Sequence, residues 1–184
     1  MRIVAGQWRG RKLVAPPGKN TRPTADRTRE TLFSMLVSRL GPFDGLAVAD
    51  LFAGSGALGL EALSRGAATC IFAEQDVAAI RAIRQNIDSL GCHEQCDVRA
   101  GSALLLGPAR QPLDLILLDP PYGSHAGEVA LDKLMRLGWI GPATWVSLET
   151  GANEEPQVKA LDAVAERRVG KARITLFRAP AATA

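Results

Sequence analysis

Short apolar segments alternate with longer amphipathic segments along most of this chain. Short apolar runs are typical of strands buried on both faces of a parallel sheet, and apolar positions that recur every three or four residues are typical of helices packed against it. The pattern predicts strands at 46–52, 69–73, 96–99, 113–118 and 143–149, and helices at 57–64, 77–90, 102–106 and 127–137. Regular alternation of this kind predicts an α/β fold built on a doubly wound parallel sheet.

The two ends of the chain depart from this alternation. Residues 2–14 alternate loosely between glycines and predict a β-hairpin, which is followed by a proline-rich linker. A helix is then expected up to Leu40, with Thr24 as its N-cap and one buried stripe formed by Leu32, Phe33, Leu36 and Val37. At the other end, residues 163–169 and 172–178 predict a hairpin that closes the sheet in antiparallel orientation.

Length and composition favour one soluble domain. The chain has 184 residues, 47% of them hydrophobic, which is enough for a sizeable core. We interpret residues 1–20 as a basic hairpin and linker and residues 21–184 as the domain proper. No apolar run is long enough to cross a bilayer and no signal-peptide core precedes the domain, so a cytoplasmic protein without membrane contacts is expected. Neither a disulfide framework nor a metal site is expected from three cysteines and two histidines.

The net charge of +3 is distributed unevenly. Residues 1–39 carry nine Lys and Arg residues against two acidic ones, whereas the rest of the chain carries thirteen against seventeen. A basic arm on an acidic domain is typical of nucleic-acid binding, although a solvated, salt-bridged surface would give the same counts. Trp8 is expected to anchor the arm on the core rather than to stack on a base. The candidate RNA contacts are Arg9, Arg11, Lys12 and Arg27.

Charged residues and glycine follow the predicted strands at their carboxyl ends. Asp50 ends the first strand, Glu74 and Gly101 follow the second and third, and Asp119 follows the fourth. Ligands of a doubly wound sheet bind beyond the carboxyl ends of its strands. We therefore expect these four residues to line one ligand site.

A glycine-rich segment leads from the first strand into the next helix. Gly54, Gly56 and Gly59 have the spacing of a dinucleotide-binding loop, and Glu74 is placed to hold ribose hydroxyls, so a nicotinamide enzyme fits these residues. Asp50 argues against it, because a carboxylate there would repel a pyrophosphate. It suits instead the ammonium and sulfonium groups of S-adenosylmethionine. A buried Asp50 with purely structural hydrogen bonds is the alternative.

Residues 119–122 read Asp-Pro-Pro-Tyr. Proline favours extended geometry in the residue before it, so the Asp119 carboxylate and the Pro120 carbonyl are expected to point outward as two acceptors. An exocyclic amine donates two N–H groups, and Tyr122 offers a ring on which the attached base can stack. The tetrapeptide therefore predicts amine chemistry on a nucleobase. The alternative is a rigid proline loop or a proline-rich ligand.

These motifs together resemble the class I S-adenosylmethionine-dependent amino-methyltransferases. With segments 2–13, 22–33 and 56–66, the chain resembles the bacterial family that methylates guanine N2 in small-subunit (16S) ribosomal RNA, over about residues 2–149. The resemblance implies a mostly parallel, seven-stranded Rossmann-like sheet and S-adenosylmethionine as methyl donor. It also implies ribosomal RNA or the small ribosomal subunit as partner. We expect a monomer.

The resemblance assigns a role to each candidate residue. The catalytic residues would be Asp119, Pro120, Pro121 and Tyr122. The cofactor would be held by Asp50 at the ammonium, Gly54, Ser55 and Gly56 at the methionine end, Glu74 at the ribose, Gly101 and Ser102 at the adenine, and Arg22 and Thr24 near the carboxylate. Either Arg22 or Arg27 is expected to supply the counter-charge of that carboxylate.

The chain departs from the family pattern at two positions. Ala5 stands where a glycine is expected in the opening turn, and Gly101 stands where the family places Asn or Asp for the adenine amine. A glycine has no side chain to make that contact, so backbone groups or the Ser102 hydroxyl are expected to replace it.

Three other functions remain open at the level of sequence. The same tetrapeptide serves DNA adenine-N6 and cytosine-N4 methyltransferases, although this short chain has no obvious target-recognition domain. An NAD-dependent oxidoreductase is disfavoured by Asp50. A non-catalytic RNA-binding assembly factor is disfavoured by the intact set of site residues.

Overall fold

The computed structural model describes residues 1–18 and 23–181, and only the backbone of residues 23 and 24. The helices and strands are α1 (Pro23–Leu40), β1 (Ala47–Leu51), α2 (Ala57–Ser64), β2 (Thr69–Glu74), α3 (Val77–Leu90), β3 (Cys96–Ala100), β4 (Leu115–Leu118), α4 (Ala126–Arg136), β5 (Trp145–Gly151), β6 (Asp162–Val169) and β7 (Ala172–Arg178). Single 3-10 turns lie at His93–Gln95 and Ala103–Leu105. Within the described ranges, no helix is both long and apolar enough to cross a membrane.

The strands form one seven-stranded sheet in the order β3-β2-β1-β4-β5-β7-β6. Strands β1 to β5 are parallel, and β7 pairs antiparallel with both β5 and β6. The predicted doubly wound α/β sheet with an antiparallel closing hairpin is confirmed. The chain order reverses between β1 and β4, so the crevice above their carboxyl ends is the switch point at which such folds bind ligands.

Strand β4 shows why the sequence forms this architecture. Its four residues are all buried, and they alternate between two apolar clusters on opposite faces of the sheet. Leu115 and Leu117 pack with α1, α2 and α3, whereas Ile116 and Leu118 pack with α4. A central strand covered on both faces requires this continuous apolar run.

Helix α1 begins two residues earlier than predicted. It starts at Pro23, whose fixed φ and missing N–H suit the first turn of a helix, so Thr24 lies inside the helix rather than at its cap. The cap position falls outside the described residues. The predicted stripe is buried at Leu32, Phe33 and Leu36, but the side chain of Val37 is 46% exposed.

The predicted N-terminal hairpin has a single antiparallel bridge, between Arg2 and Lys12, and no strand among residues 1–18. Its two arms also share three backbone hydrogen bonds, from Ile3 to Arg11, from Gly10 to Ile3 and from Leu13 to Met1. Other backbone groups of the segment bond to α2. Buried Glu61 accepts the N–H groups of Val4 and Ala5 at 2.8 and 3.0 Å, and it also accepts a bond from the Arg65 side chain at 2.9 Å.

The end of α2 holds the next part of this segment. The Ser64 hydroxyl accepts the N–H of Trp8 at 3.0 Å and donates to the carbonyl of Ala5 at 2.6 Å. The Trp8 ring packs against the core, as predicted. The φ angle of Ala5 is not positive, so alanine fits where the family pattern led us to expect glycine.

We expect Gly6→Ala to lower the free energy of unfolding by about 3 kcal/mol or more. Gly6 has φ 84°, and a Cβ there would lie 1.9 Å from the backbone oxygen of Ser64. Left-handed backbone at a non-glycine residue and overpacking each cost roughly 1–3 kcal/mol. Gly10 is a matched control, since it has φ 82° but no atom within 4 Å of such a Cβ. Denaturant unfolding should show a clearly smaller loss of unfolding free energy for Gly10→Ala. Equal losses for the two variants would contradict the close contact of Gly6 with the backbone of Ser64 in α2.

Candidate active site

Two cavities lie beyond the carboxyl ends of β1, β2, β4 and β5. The Asp50 cavity, of about 240 Å³, is lined by Asp50, the glycine-rich loop, part of α1 and residues of the N-terminal segment. The Glu74 cavity, of about 580 Å³, is lined by Glu74, Ser102, Ala103 and the tetrapeptide. Both cavities are lined by Ala25, Phe52, Asp119 and Glu149. They are therefore two parts of one crevice at the switch point of the sheet.

Asp50 is buried at the end of β1, with only 1% of its surface exposed. Its Oδ2 accepts the N–H of Gly59 at 2.8 Å, and its Oδ1 has no hydrogen-bond partner among the residues that the structure describes. Burial raises the pKa of Asp50 well above its ordinary value, and the carboxylates of Asp119 and Glu74 raise it further. A cationic group in the cavity would relieve both the lost hydration and the repulsion.

The loop after β1 has the backbone geometry that its glycines predict. Gly54 and Gly56 have φ of 58° and 79°, in the left-handed region. Phe52, between the two cavities, has φ 61° without being glycine, which is a strained arrangement of the kind that concentrates at functional sites. A Cβ on Gly59 would lie 2.4 Å from the Phe72 ring. Gly59 therefore lets α2 pack directly on β2, with its first turn at the crevice.

Asn86 joins the loop to the N-terminal segment. Its side-chain N–H groups donate to the carbonyls of Ser55 and Val14, both at 3.0 Å, and its oxygen accepts the N–H of Val14 at 2.7 Å. These bonds hold Ala15 and Pro16 at the wall of the Asp50 cavity. Sequence reasoning missed Asn86, although a polar residue on the buried face of a predicted helix is itself a signal.

Glu74 ties the end of β2 to the glycine-rich loop. Its Oε2 accepts the N–H of Gly54 at 2.7 Å, and its Oε1 accepts those of Gln75 and Asp76 at 2.8 and 2.9 Å. The side chain lines the larger cavity. A carboxylate offers about four acceptor positions, so capacity for ribose hydroxyls remains.

Of the two residues after β3 that were expected at the cofactor site, only one lines a cavity. The N–H of Gly101 donates to the carbonyl of Glu74 at 2.8 Å, and Gly101 is not among the residues that line either cavity. Ser102 does line the Glu74 cavity, and its hydroxyl oxygen accepts the N–H of Leu104 at 3.2 Å. Of the two residues expected near the adenine, only Ser102 reaches the site.

The tetrapeptide emerges from β4 between the two cavities. Asp119 is exposed and lines both cavities, Pro120 is buried, and Pro121 and Tyr122 line the Glu74 cavity. The Tyr122 hydroxyl donates to Glu149 Oε1 at 2.5 Å, while its side chain remains 48% exposed. Burial and the neighbouring carboxylates raise the pKa of Tyr122, so it stays a neutral donor.

Glu149 is the acidic residue of the rim that sequence reasoning missed. It lies at the end of β5 and lines both cavities. Burial raises the pKa of its carboxyl group. The rule that singled out Asp50, Glu74 and Asp119, an acid at the carboxyl end of a parallel strand, applies equally to this position.

The structure brings Arg29, and not Arg27, to the Asp50 cavity. Arg29 is only 5% exposed, and its guanidinium bonds to the carbonyl of Arg2 and to Asp26 and lies 3.8 Å from Glu61. Arg27 is exposed and lines a separate groove between α1 and β6. Arg22 and the side chain of Thr24 lie outside the described residues.

The basic residues of the N-terminal segment lie away from the cavities. Arg9, Arg11 and Lys12 are exposed, and Arg11 donates to the carbonyl of Ser89 at 2.6 Å, in the last turn of α3. The neighbouring Trp8 is bound at the last residue of α2, about 10 Å along that helix from its start at the crevice. RNA contacts of these three side chains would therefore lie outside the base pocket.

Comparison with known sequences identifies relatives over most of the chain. The family model named conserved hypothetical protein 95 matches residues 1–178. Ribosomal RNA small subunit methyltransferase D of Haemophilus influenzae is 40% identical over 154 residues, covering 82% of this chain and 78% of that protein. A putative rRNA methyltransferase of Bacillus subtilis is 42% identical over 127 residues, covering 66% and 67%.

Solved structures agree with these sequence relatives. A putative methyltransferase from Escherichia coli superimposes with a TM-score of 0.85 at 35% identity, covering 97% of each chain. Magnesium protoporphyrin IX methyltransferase from Synechocystis, solved with S-adenosylmethionine bound, has a TM-score of 0.66 at 16% identity, covering 85% of this chain and 80% of that one. The second likeness shows a shared fold and no more.

Proposed function

This chain belongs to the family of the ribosomal RNA small subunit methyltransferase D proteins and is an rRNA methyltransferase; from this premise we propose that it transfers a methyl group from S-adenosylmethionine to the exocyclic N2 amine of a guanine in small-subunit (16S) ribosomal RNA. One observation carries the proposal. Asp50 has a buried carboxylate oxygen with no partner in the described part of the chain, and it lines the same cavity as the carboxylate of the tetrapeptide, Asp119.

The residues of the crevice fit the methyl donor. Asp50 Oδ1 would accept from its ammonium, and the backbone of Gly54, Ser55 and Gly56 would border its methionine end. Glu74 would hold the ribose hydroxyls, and Ser102 would lie at the adenine. When bound, the donor supplies a methyl group on a positively charged sulfur, which needs little further activation. The protein then contributes mainly alignment.

The tetrapeptide would hold the methyl acceptor. The target base leaves its stack and lies on the ring of Tyr122, with Pro121 fixing the turn. The Asp119 carboxylate and the Pro120 carbonyl accept the two N–H groups of the amine. The lone pair of the amine is delocalised into the ring, which makes the nitrogen a weak nucleophile. The two bonds would favour a pyramidal nitrogen and stabilise the positive charge that develops on it as the methyl group leaves the sulfur, which becomes a neutral thioether. The surplus proton on the nitrogen would pass to the Asp119 carboxylate.

We expect Arg29→Lys to weaken S-adenosylmethionine binding about tenfold, and Arg27→Lys to leave the Kd unchanged. Arg29 lines the Asp50 cavity, and its Nη2 already donates to the carbonyl of Arg2 and to Asp26, so its Nη1 is the group that would donate to the methionine carboxylate. A lysine ammonium does not reproduce this fixed fork of donors. Arg27 lines the other groove. Titration calorimetry measures both affinities, after unfolding curves establish that both variants are folded. A weaker Kd for Arg27→Lys alone would reverse the assignment.

The basic side chains support a binding surface for structured RNA outside the base pocket. The groove between α1 and β6, about 750 Å³, is bordered by more arginine than acidic side chains: Arg27, Arg39, Arg167 and Arg168 against Glu30 and Glu166. Arg9, Arg11 and Lys12 lie near the last turns of α2 and α3. We propose that these two patches contact phosphates on either side of the target nucleotide.

A tritium-transfer assay tests the proposed function. Labelled S-adenosylmethionine is incubated with undermethylated small ribosomal subunits, with deproteinised ribosomal RNA and with duplex DNA, and the labelled nucleoside is identified after digestion. The proposal predicts N2-methylguanosine from ribosomal substrates. Labelled N6-methyladenine or N4-methylcytosine from DNA would instead establish the alternative activity of this tetrapeptide.

A further inference from the structure

Two carboxylates lie side by side at the crevice. Leu118, the last residue of β4, pairs in parallel with Leu148 of β5, so Asp119, just past the end of β4, lies beside Glu149, which is still within β5. Neighbouring strands are about 4.8 Å apart. Both acids line both cavities. A base whose amine is held by Asp119 therefore also presents its adjoining atoms to Glu149.

Glu149 is held in one orientation and keeps acceptor capacity. Its Oε1 accepts the Tyr122 hydroxyl at 2.5 Å, which fixes the carboxylate beside the ring on which the base would stack. A carboxylate has about four acceptor positions and no donor, so one bond from Tyr122 leaves others for a ligand. The group adjoining the methylated amine must therefore be a hydrogen-bond donor to bind well.

The common bases differ at this position. In guanine the N2 amine adjoins N1–H, which is a donor. In adenine the N6 amine adjoins N1, and in cytosine the N4 amine adjoins N3, both of which are acceptors. Enzymes that take a base out of its stack read it by hydrogen bonds to this edge. A fixed carboxylate accepts from guanine and repels the lone pair of the other two.

We propose that Glu149 selects guanine by accepting its N1–H while Asp119 and the Pro120 carbonyl hold the N2 amine. This inference rests on the proposed function and assigns its base specificity to one residue. A site built to bond a donor rejects analogues that lack it by large factors, because its own polar group is left unpaired. The pair Asp119 and Glu149 thus distinguishes this crevice from one that methylates adenine or cytosine.

The test uses wild type, Glu149→Gln and Tyr122→Phe on in vitro assembled small subunits. Two kinds of subunit are prepared, which carry either guanine or 2-aminopurine at the position that the wild-type enzyme methylates. 2-Aminopurine keeps the N2 amine, but it has an acceptor at N1 and lacks the oxygen at C6. We expect wild type to prefer guanine by about 100-fold or more in kcat/KM. Glu149→Gln, whose amide can still accept from Tyr122 and can donate to N1, should narrow that preference to about tenfold or less.

Tyr122→Phe is the matched control for positioning. It removes the hydroxyl bond but leaves the carboxylate, so the preference for guanine should persist even where the rate falls. The inference is overturned if wild type methylates both bases equally, a comparison that needs no variant. It is also overturned if Glu149→Gln keeps the full preference, since Glu149 would then only hold Tyr122. Failure of wild type to form N2-methylguanosine at all would refute the proposed function instead.

Discussion

Asp119→Ala is expected to lower the rate of methyl transfer by about 10²–10³-fold while leaving the Kd for S-adenosylmethionine within about twofold. Asp119 lines both cavities, but its proposed partner is the acceptor amine and not the donor. Removing one fixed hydrogen-bonding group that stabilises developing charge typically costs this much in kcat. Single-turnover rates on small subunits measure the first quantity, and calorimetry with the donor alone measures the second.

A graded variant separates charge from hydrogen bonding at this position. Asp119→Asn keeps an acceptor oxygen but loses the negative charge, so its rate should fall between those of wild type and Asp119→Ala. Glu94→Ala, in the exposed turn before β3 and outside both cavities, is a control that should keep the wild-type rate. If Asp119→Ala transfers methyl groups at the wild-type rate, the tetrapeptide is not the acceptor site.

Asp50→Asn is expected to raise the Kd for S-adenosylmethionine by about two to three orders of magnitude. The asparagine oxygen can keep the bond from the Gly59 N–H, so the fold is preserved, but an amide would face the donor's ammonium. Breaking a buried ion pair by removing one partner costs about 3–5 kcal/mol. Calorimetry measures the loss, and an unchanged Kd would return Asp50 to the purely structural role.

The same variant should raise the stability of the protein without its donor. Burial raises the pKa of Asp50 in the folded state, so between its unfolded and folded pKa values the folded state binds more protons. The destabilisation that Asp50 causes is therefore absent below about pH 4, the ordinary pKa of aspartate. It grows as the pH rises toward the pKa of Asp50 in the folded protein. At neutral pH the Tm of Asp50→Asn should exceed that of wild type, and a lower Tm would contradict this electrostatic account.

Local signals were sufficient to predict helix α3 and three of the four residues expected at the rim, Asp50, Glu74 and Asp119. Helix α3 begins and ends where predicted because Asp76 caps it, accepting the N–H of Ala79 at 2.8 Å, and Gly91 ends it in the left-handed region. Asp50 and Asp119 reach one crevice because parallel strands end at one edge of the sheet. Both inferences need only the period of the pattern and the rules for helix ends and strand ends.

The parts that sequence did not predict depend on contacts far apart in the chain. The N-terminal segment bonds to Glu61 and Ser64, more than fifty residues away, instead of completing its own strands. Arg29 was within reach of local reasoning. It precedes Leu32, Phe33 and Leu36 by three, four and seven residues and so shares their buried face, whereas Arg27 does not.

The most direct test of the account is a crystal structure of the protein with S-adenosylmethionine. We predict the donor's ammonium within hydrogen-bond distance of Asp50 Oδ1, its ribose at Glu74, and its methyl group directed toward the space beside the Asp119 carboxylate. A donor bound in the groove between α1 and β6, or bound in the crevice with its methyl group directed away from the tetrapeptide, would contradict the account.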